Sequence, residues 1–269
     1  NFFLISAGQI QIKPAVKKCP LKTLNYETGL LNNSTLFVLT DALGFTWIST
    51  KTGLQRFNGN RLETISPVIN TDTLNINQPV YLFNLHSGLM WISYKNFIIE
   101  YNPYQNTFRK IITQDSSTTN GFDIVPLKET AQGVWCMQKK KGILIYSPEG
   151  KIVQTFSNYQ PSLTDTLFSS ENILFKSIIA VNTDYIFISA KKDTILKINT
   201  TKRTFGFLHS ESSYRMGLTC FNNTLFAIAD DKLLLIDAAT NLTRKTVFIN
   251  NLNDQPLDVN GLGSDERGH

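Results

Sequence analysis

Cysteine, histidine and tryptophan are all scarce in this chain of 269 residues, with three of each. Cys19, Cys136 and Cys220 are odd in number and form no Cys-x-x-Cys pair, which argues against a disulfide framework and a thiolate zinc site. Cys136 follows Trp135 inside an apolar run and reads as a small buried hydrophobe. His86, His209 and His269 are too widely scattered to build a metal site. No apolar run approaches the roughly 18 residues of a membrane-spanning helix. Apolar spacing near 3.6 residues is also missing, which sets aside helical solenoids. Charged residues make up only 17% of the chain.

What the chain does have is hydrophobic residues at 42%, with 18 Phe and 9 Tyr. Aromatic and β-branched side chains pack well on a pleated surface, so this composition favours strands. The net charge of +5 and a pI near 9.0 fit an anionic partner without demanding one. Residues 1–9 have two readings, an apolar signal-peptide core followed by small residues, or a first strand from Phe2 to Ser6.

A period organises the rest. Trp47, Trp91 and Trp135 lie 44 residues apart and open similar triplets: Trp47-Ile48-Ser49, Trp91-Ile92-Ser93 and Trp135-Cys136-Met137. Phenylalanine continues the series in Phe187-Ile188-Ser189 and Phe226-Ala227-Ile228, where the spacing stretches to 52 and then contracts to 39. A second apolar anchor follows each at 10 or 11 residues: Phe57, Tyr101, Tyr146, Ile198 and Ile236. A polar turn separates the two, so three features keep one phase.

Within a unit, short strands alternate with turn residues. Leu36–Leu39, Phe45–Thr50, Leu54–Phe57 and Arg61–Ile65 are divided by Asp41–Gly44, Lys51–Gly53 and Asn58-Gly59. Four antiparallel strands in some forty residues make a propeller blade. The expected fold is therefore all-β, a single partial β-propeller over residues 1–269 with blades at about 35–66, 79–112, 121–156, 176–208 and 216–249. A sixth blade is expected to begin within 258–269, where Asp265–Gly268 restates the Asp41–Gly44 turn. Five blades leave open sheet edges, so a longer parent protein is expected.

The stretch Tyr26–Asn33, followed by Leu39–Gly59, closely resembles the two-component regulator propeller repeat, which reads roughly "dGLs-n-v…qD-x-x-Gf-x-Wi-x-T-x-x-GL-x-ryng". The likeness is specific in the first blade and in Asp265–Gly268. The second blade keeps Trp91 and Tyr101 but has His86-Ser87-Gly88 in place of Asp-x-x-Gly, and the fourth and fifth lose the Trp. The resemblance implies the periplasmic sensor region of a hybrid two-component system of Gram-negative gut bacteria, usually built from seven-bladed propellers. It further implies an oligosaccharide ligand, control of polysaccharide-use genes across an inner membrane, and a homodimeric receptor. The kinase, receiver and DNA-binding modules of such systems are not in this sequence, and neither enzymatic activity, a cofactor nor direct nucleic-acid binding is expected of it.

The Trp or Phe of each blade holds an identical mid-strand phase, which reads as blade-to-blade packing rather than a sugar platform. The turn aspartates read as geometric, because Asp bonds its own turn and Gly supplies a positive φ. Candidate ligand residues are the lysines after the Trp strand, Lys51, Lys95, Lys139, Lys140, Lys141, Lys191 and Lys192, which would form a basic rim on the face shared with the blade connections. The plain alternative is that solvated turns simply carry lysine. Tyr159, in the long connection Ser157–Phe175, is a further candidate on that face. A propeller glycosidase or lyase, or a structural docking propeller, are the competing classes. Converging carboxylates at a common blade phase are not visible in the sequence.

Overall fold

The computed structural model describes residues 23–113, 123–138, 141–156, 179–191, 194–209, 214–229 and 232–248. Tyr159, Lys139, Lys140, Lys192, the 157–175 connection and the 258–269 segment lie outside the described residues.

Among the described residues five four-stranded antiparallel sheets follow one another along the chain, each in simple sequential order, and together they form a β-propeller. Blade 1 comprises β1 (Thr35–Thr40), β2 (Thr46–Thr50), β3 (Gly53–Phe57) and β4 (Leu62–Thr64). A small hairpin, β5 (Val68–Ile69) and β6 (Asp72–Thr73), lies in the connection to blade 2. Blade 2 is β7 (Tyr81–Asn84), β8 (Met90–Tyr94), β9 (Phe97–Asn102) and β10 (Thr107–Thr113). Blade 3 is β11 (Ile124–Thr130), β12 (Gly133–Gln138), β13 (Gly142–Tyr146) and β14 (Ile152–Thr155). Blade 4 holds β15 (Ile179–Val181), β16 (Tyr185–Lys191), β17 (Thr194–Asn199) and β18 (Thr204–His209). Blade 5 holds β19 (Tyr214–Phe221), β20 (Thr224–Ala229), β21 (Lys232–Asp237) and β22 (Thr243–Phe248).

Successive blades touch through their first strands, β1 on β7, β7 on β11, β11 on β15 and β15 on β19. The first strand of each blade is therefore innermost. The fourth is outermost and leaves apolar side chains such as Ile152, Val153 and Val247 exposed.

The two anchors of the sequence period interlock across blade boundaries. Trp47 is fully buried, and its ring lies 4.7 Å from that of Tyr101, the second anchor of blade 2. Trp91 of blade 2 shares a core cluster with Tyr146 of blade 3, and Trp135 of blade 3 shares one with Ile198 of blade 4. Phe187 of blade 4 is likewise clustered with Ile236 of blade 5. Aromatic pairs of this kind add about 0.5–1.5 kcal/mol beyond their buried area.

Polar contacts close the same boundaries. Trp47 pairs across the sheet with Arg56, and Phe187 with Lys197. Arg56 donates to Tyr101 Oη at 2.8 Å and Asn106 Oδ1 at 3.1 Å, while Lys197 donates to Asn241 Oδ1 at 2.7 Å and the Ala239 carbonyl at 3.1 Å. Asn106 and Asn241 occupy the turn between the third and fourth strands of the next blade, both at positive φ (52° and 66°). Asparagine tolerates that conformation better than most residues. Lys128 does the same work between blades 3 and 4, reaching the Thr183 carbonyl and, at 3.0 Å, Thr200 Oγ1.

Cys136 is fully buried on β12, and burial lifts its thiol well above the usual range. The thiolate is the reactive form, so iodoacetamide at about pH 8 is expected to leave Cys136 unmodified in the folded protein and to alkylate it in urea. Peptide mass mapping checks this; alkylation under native conditions would contradict the packed position.

Candidate functional site

The propeller has two faces with different furniture. One carries the turns between second and third strands together with the connections between blades. Lys51 N donates to the Ser34 carbonyl at 3.0 Å, and Asp123 N donates to the Lys95 carbonyl at 2.7 Å, so these turns are tied to segments entering a first strand, of the same blade for Lys51 and of the next for Lys95. Val80 N is held on the same side by Ser49 Oγ at 3.0 Å.

Lys51 and Lys141 are exposed in such turns, and Lys95, at φ 51°, places its ammonium 5.1 Å from the centre of the Tyr94 ring. Lys191 ends β16 at the same edge. The structure therefore puts these lysines on one face and on separate blades.

The opposite face carries the turns between first and second strands and between third and fourth strands. Here the Asp-x-x-Gly turn of blade 1 is resolved atom by atom. Asp41 Oδ1 accepts from Leu43 N and Phe45 N, both at 3.0 Å, and Oδ2 accepts from Trp47 Nε1 at 2.8 Å. Gly44 closes the turn at φ 86°. In blade 2 the backbone turn is the same, with Leu85 N to the Leu89 carbonyl at 2.8 Å and Gly88 N to the Leu85 carbonyl at 3.0 Å. Leu85, not His86, thus stands where blade 1 has Asp41. The indole Nε1 of Trp91 is left buried without a partner.

A cavity of about 280 Å³ opens on this face, lined by Phe45, Arg56, Asn58, Arg61 and Glu63. Register explains its lining. Thr46 pairs with Phe57, Trp47 with Arg56, Arg56 with Glu63 and Phe57 with Leu62. Side chains alternate along a strand, so Trp47, Arg56 and Glu63 form one row on the side of blade 1 that looks at blade 2. Phe45, Asn58 and Arg61 form the next row toward the rim.

Arg56 is only 15% exposed at its side chain and is fully engaged: Glu63 Oε2 lies 2.8 Å from it, and the Phe45 ring centre is 5.0 Å away. Burial alone would lower its pKa, but the bonds to Glu63 and Tyr101 outweigh that and raise it. Blade 2 repeats the cross-strand ion pair with the signs exchanged, as Glu100 and Arg109 at 2.5 Å. Asn58 Oδ1 is consumed by the turn, accepting from Asn60 N and Arg61 N. Spacing along the chain does not mark this cavity, because Phe45 meets the Arg56–Glu63 hairpin only through strand pairing.

Among the described residues no group of three or more His, Cys, Asp or Glu converges as a metal site. No helix among them is long and apolar enough to cross a membrane.

No protein-family profile matches the chain, and no curated protein matches it significantly. Solved structures do match. The extracellular domain of the hybrid two-component system BT4673 from B. thetaiotaomicron superposes on 88% of this chain with a TM-score of 0.62 at 19% identity, covering 32% of its own length. The extracellular domain of the hybrid two-component system BT3049 from the same organism covers 86% of the chain and 32% of its own length, with a TM-score of 0.57 and 18% identity. Virginiamycin B lyase from Staphylococcus aureus covers 82% of the chain and 71% of its own length, with a TM-score of 0.56 and 14% identity. At these identities the likeness is one of fold. The chain spans about a third of the length of the two extracellular domains.

Proposed function

We propose that this propeller is a ligand-sensing domain, the periplasmic part of a homodimeric hybrid two-component sensor. In this reading it binds an oligosaccharide and signals across the inner membrane to control polysaccharide-use genes. The observation that carries it is the superposition of 88% of the chain on the extracellular domain of such a system, in a chain whose first blade resembles the regulator-propeller repeat. The architecture supports the role physically, because loops and turns on a rigid sheet scaffold are where binding residues are free to vary.

A genetic experiment tests the reading. Cells lacking the parent gene are expected to lose induction of a polysaccharide-use gene cluster on one glycan and keep it on others. Unchanged transcription across a full glycan panel would contradict the sensing role. The likeness to a lyase favours a second reading, a propeller enzyme, for which the expected result is glycan cleavage by the purified protein.

A further inference from the structure

The cavity on the side of blade 1 that looks at blade 2 holds one cation whose side chain the described fold does not use. Charges inside the cavity are Arg56, Arg61 and Glu63. Arg56 and Glu63 neutralise each other at 2.8 Å, and Arg56 is further bound by Tyr101 and Asn106. The Arg61 guanidinium, by contrast, has no partner among the described residues; only its backbone is tied, to Asn58. It lines the cavity and is solvent-exposed, in the same row of the sheet as Phe45 and Asn58.

A second aromatic residue stands on the same face. Tyr104, in the turn before Asn106, is 64% exposed. Its hydroxyl lies over the first turn of blade 2, since a Cβ on Gly88 would fall 2.8 Å from it and 3.2 Å from Ala42 of blade 1. Blade 1 therefore presents a small crevice lined by the Phe45 ring and a planar cation free of side-chain partners, and the exposed Tyr104 ring lies on the same face of the next blade. Sugars stack their C–H faces on such rings, and a guanidinium fork matches a planar or tetrahedral oxyanion in two-point fashion. A volume near 280 Å³ falls just below the roughly 300 Å³ at which ligand pockets begin, and suits no more than a single sugar ring.

We propose that this crevice is a subsite for one anionic sugar residue of the ligand, its carboxylate or sulfate ester paired with Arg61. The assignment rests on the oligosaccharide-sensing reading, and it places the contact on the face opposite the lysine turns.

Calorimetric titration of the purified protein with trigalacturonate, a sulfated galactotriose and neutral galactotriose tests it. Binding is expected for at least one anionic probe and to exceed that for the neutral one, and which anionic probe binds distinguishes carboxylate from sulfate. Arg61→Gln is expected to weaken that binding at least tenfold, while Lys202→Gln, exposed in the turn between β17 and β18 of blade 4, leaves it within twofold. Arg61 is exposed and its side chain holds nothing in the fold, so an unchanged thermal transition will confirm that the variant is folded. Saccharide binding that Arg61→Gln does not alter would overturn the subsite and leave the sensing role standing. Failure of both anionic probes would overturn the subsite's charge preference, whereas failure of an entire glycan panel would remove the sensing role itself.

Discussion

Replacing Trp47 with alanine is expected to destabilise the protein by about 3–5 kcal/mol, the range for truncating a large buried aromatic. Trp47 has no exposed surface and lies between two blades. On the neighbouring blade it meets Tyr101 at 4.7 Å and Phe108 at 6.5 Å, while on its own blade the Arg56 guanidinium sits 5.6 Å from its ring. Rigid sheets cannot collapse into the space left behind, so the cavity penalty adds to the lost burial. Urea denaturation followed by circular dichroism measures the change. A loss below about 1 kcal/mol would mean that the blades are not held together by this residue.

The second large effect is expected from Asp41→Ala, at about 2–4 kcal/mol. One carboxylate there satisfies two turn amides and the indole of Trp47. Removing it leaves a buried N–H with no acceptor, which costs more than the net value of the bond. Blade 2 provides the internal control. There Leu85 replaces the aspartate, the backbone turn survives, and Trp91 Nε1 already lacks an acceptor. Trp47→Phe should therefore cost more than Trp91→Phe, because only the former strands a buried carboxylate oxygen. Equal losses at the two sites would refute the role assigned to Asp41.

The blade period was readable in the sequence because each blade must supply the same two apolar anchors at the same depth. Trp47 and Tyr101 sit in different repeats, yet their phases alone foretold that both would be buried. The partners across the boundary were not readable. Arg56 and Lys197 share a function only because each faces the Trp or Phe of its own blade across a strand pair, and that register is invisible in a linear pattern. In the second blade the linear pattern offers His86-Ser87-Gly88, whereas the turn geometry puts Leu85 at the position of Asp41.

The candidate sites divide in the same way. Lys51, Lys95 and Lys141 stand on the connection-bearing face, where a basic rim had been expected. Their ligand role is a proposal still to be tested. The crevice at Phe45, Asn58 and Arg61 arises from strand pairing, so spacing along the chain carries no trace of it. Its lining also mixes repeat positions, such as Phe45, Arg56 and Asn58, with Arg61 and Glu63, which fall outside the motif.

Calorimetry of the purified protein against a broad glycan panel, with chromatography of the recovered saccharide, tests the central claim most directly. The account predicts saturable binding of at least one oligosaccharide, which is recovered intact. Absence of binding across the panel, or recovery of cleaved product, would contradict a sensing propeller.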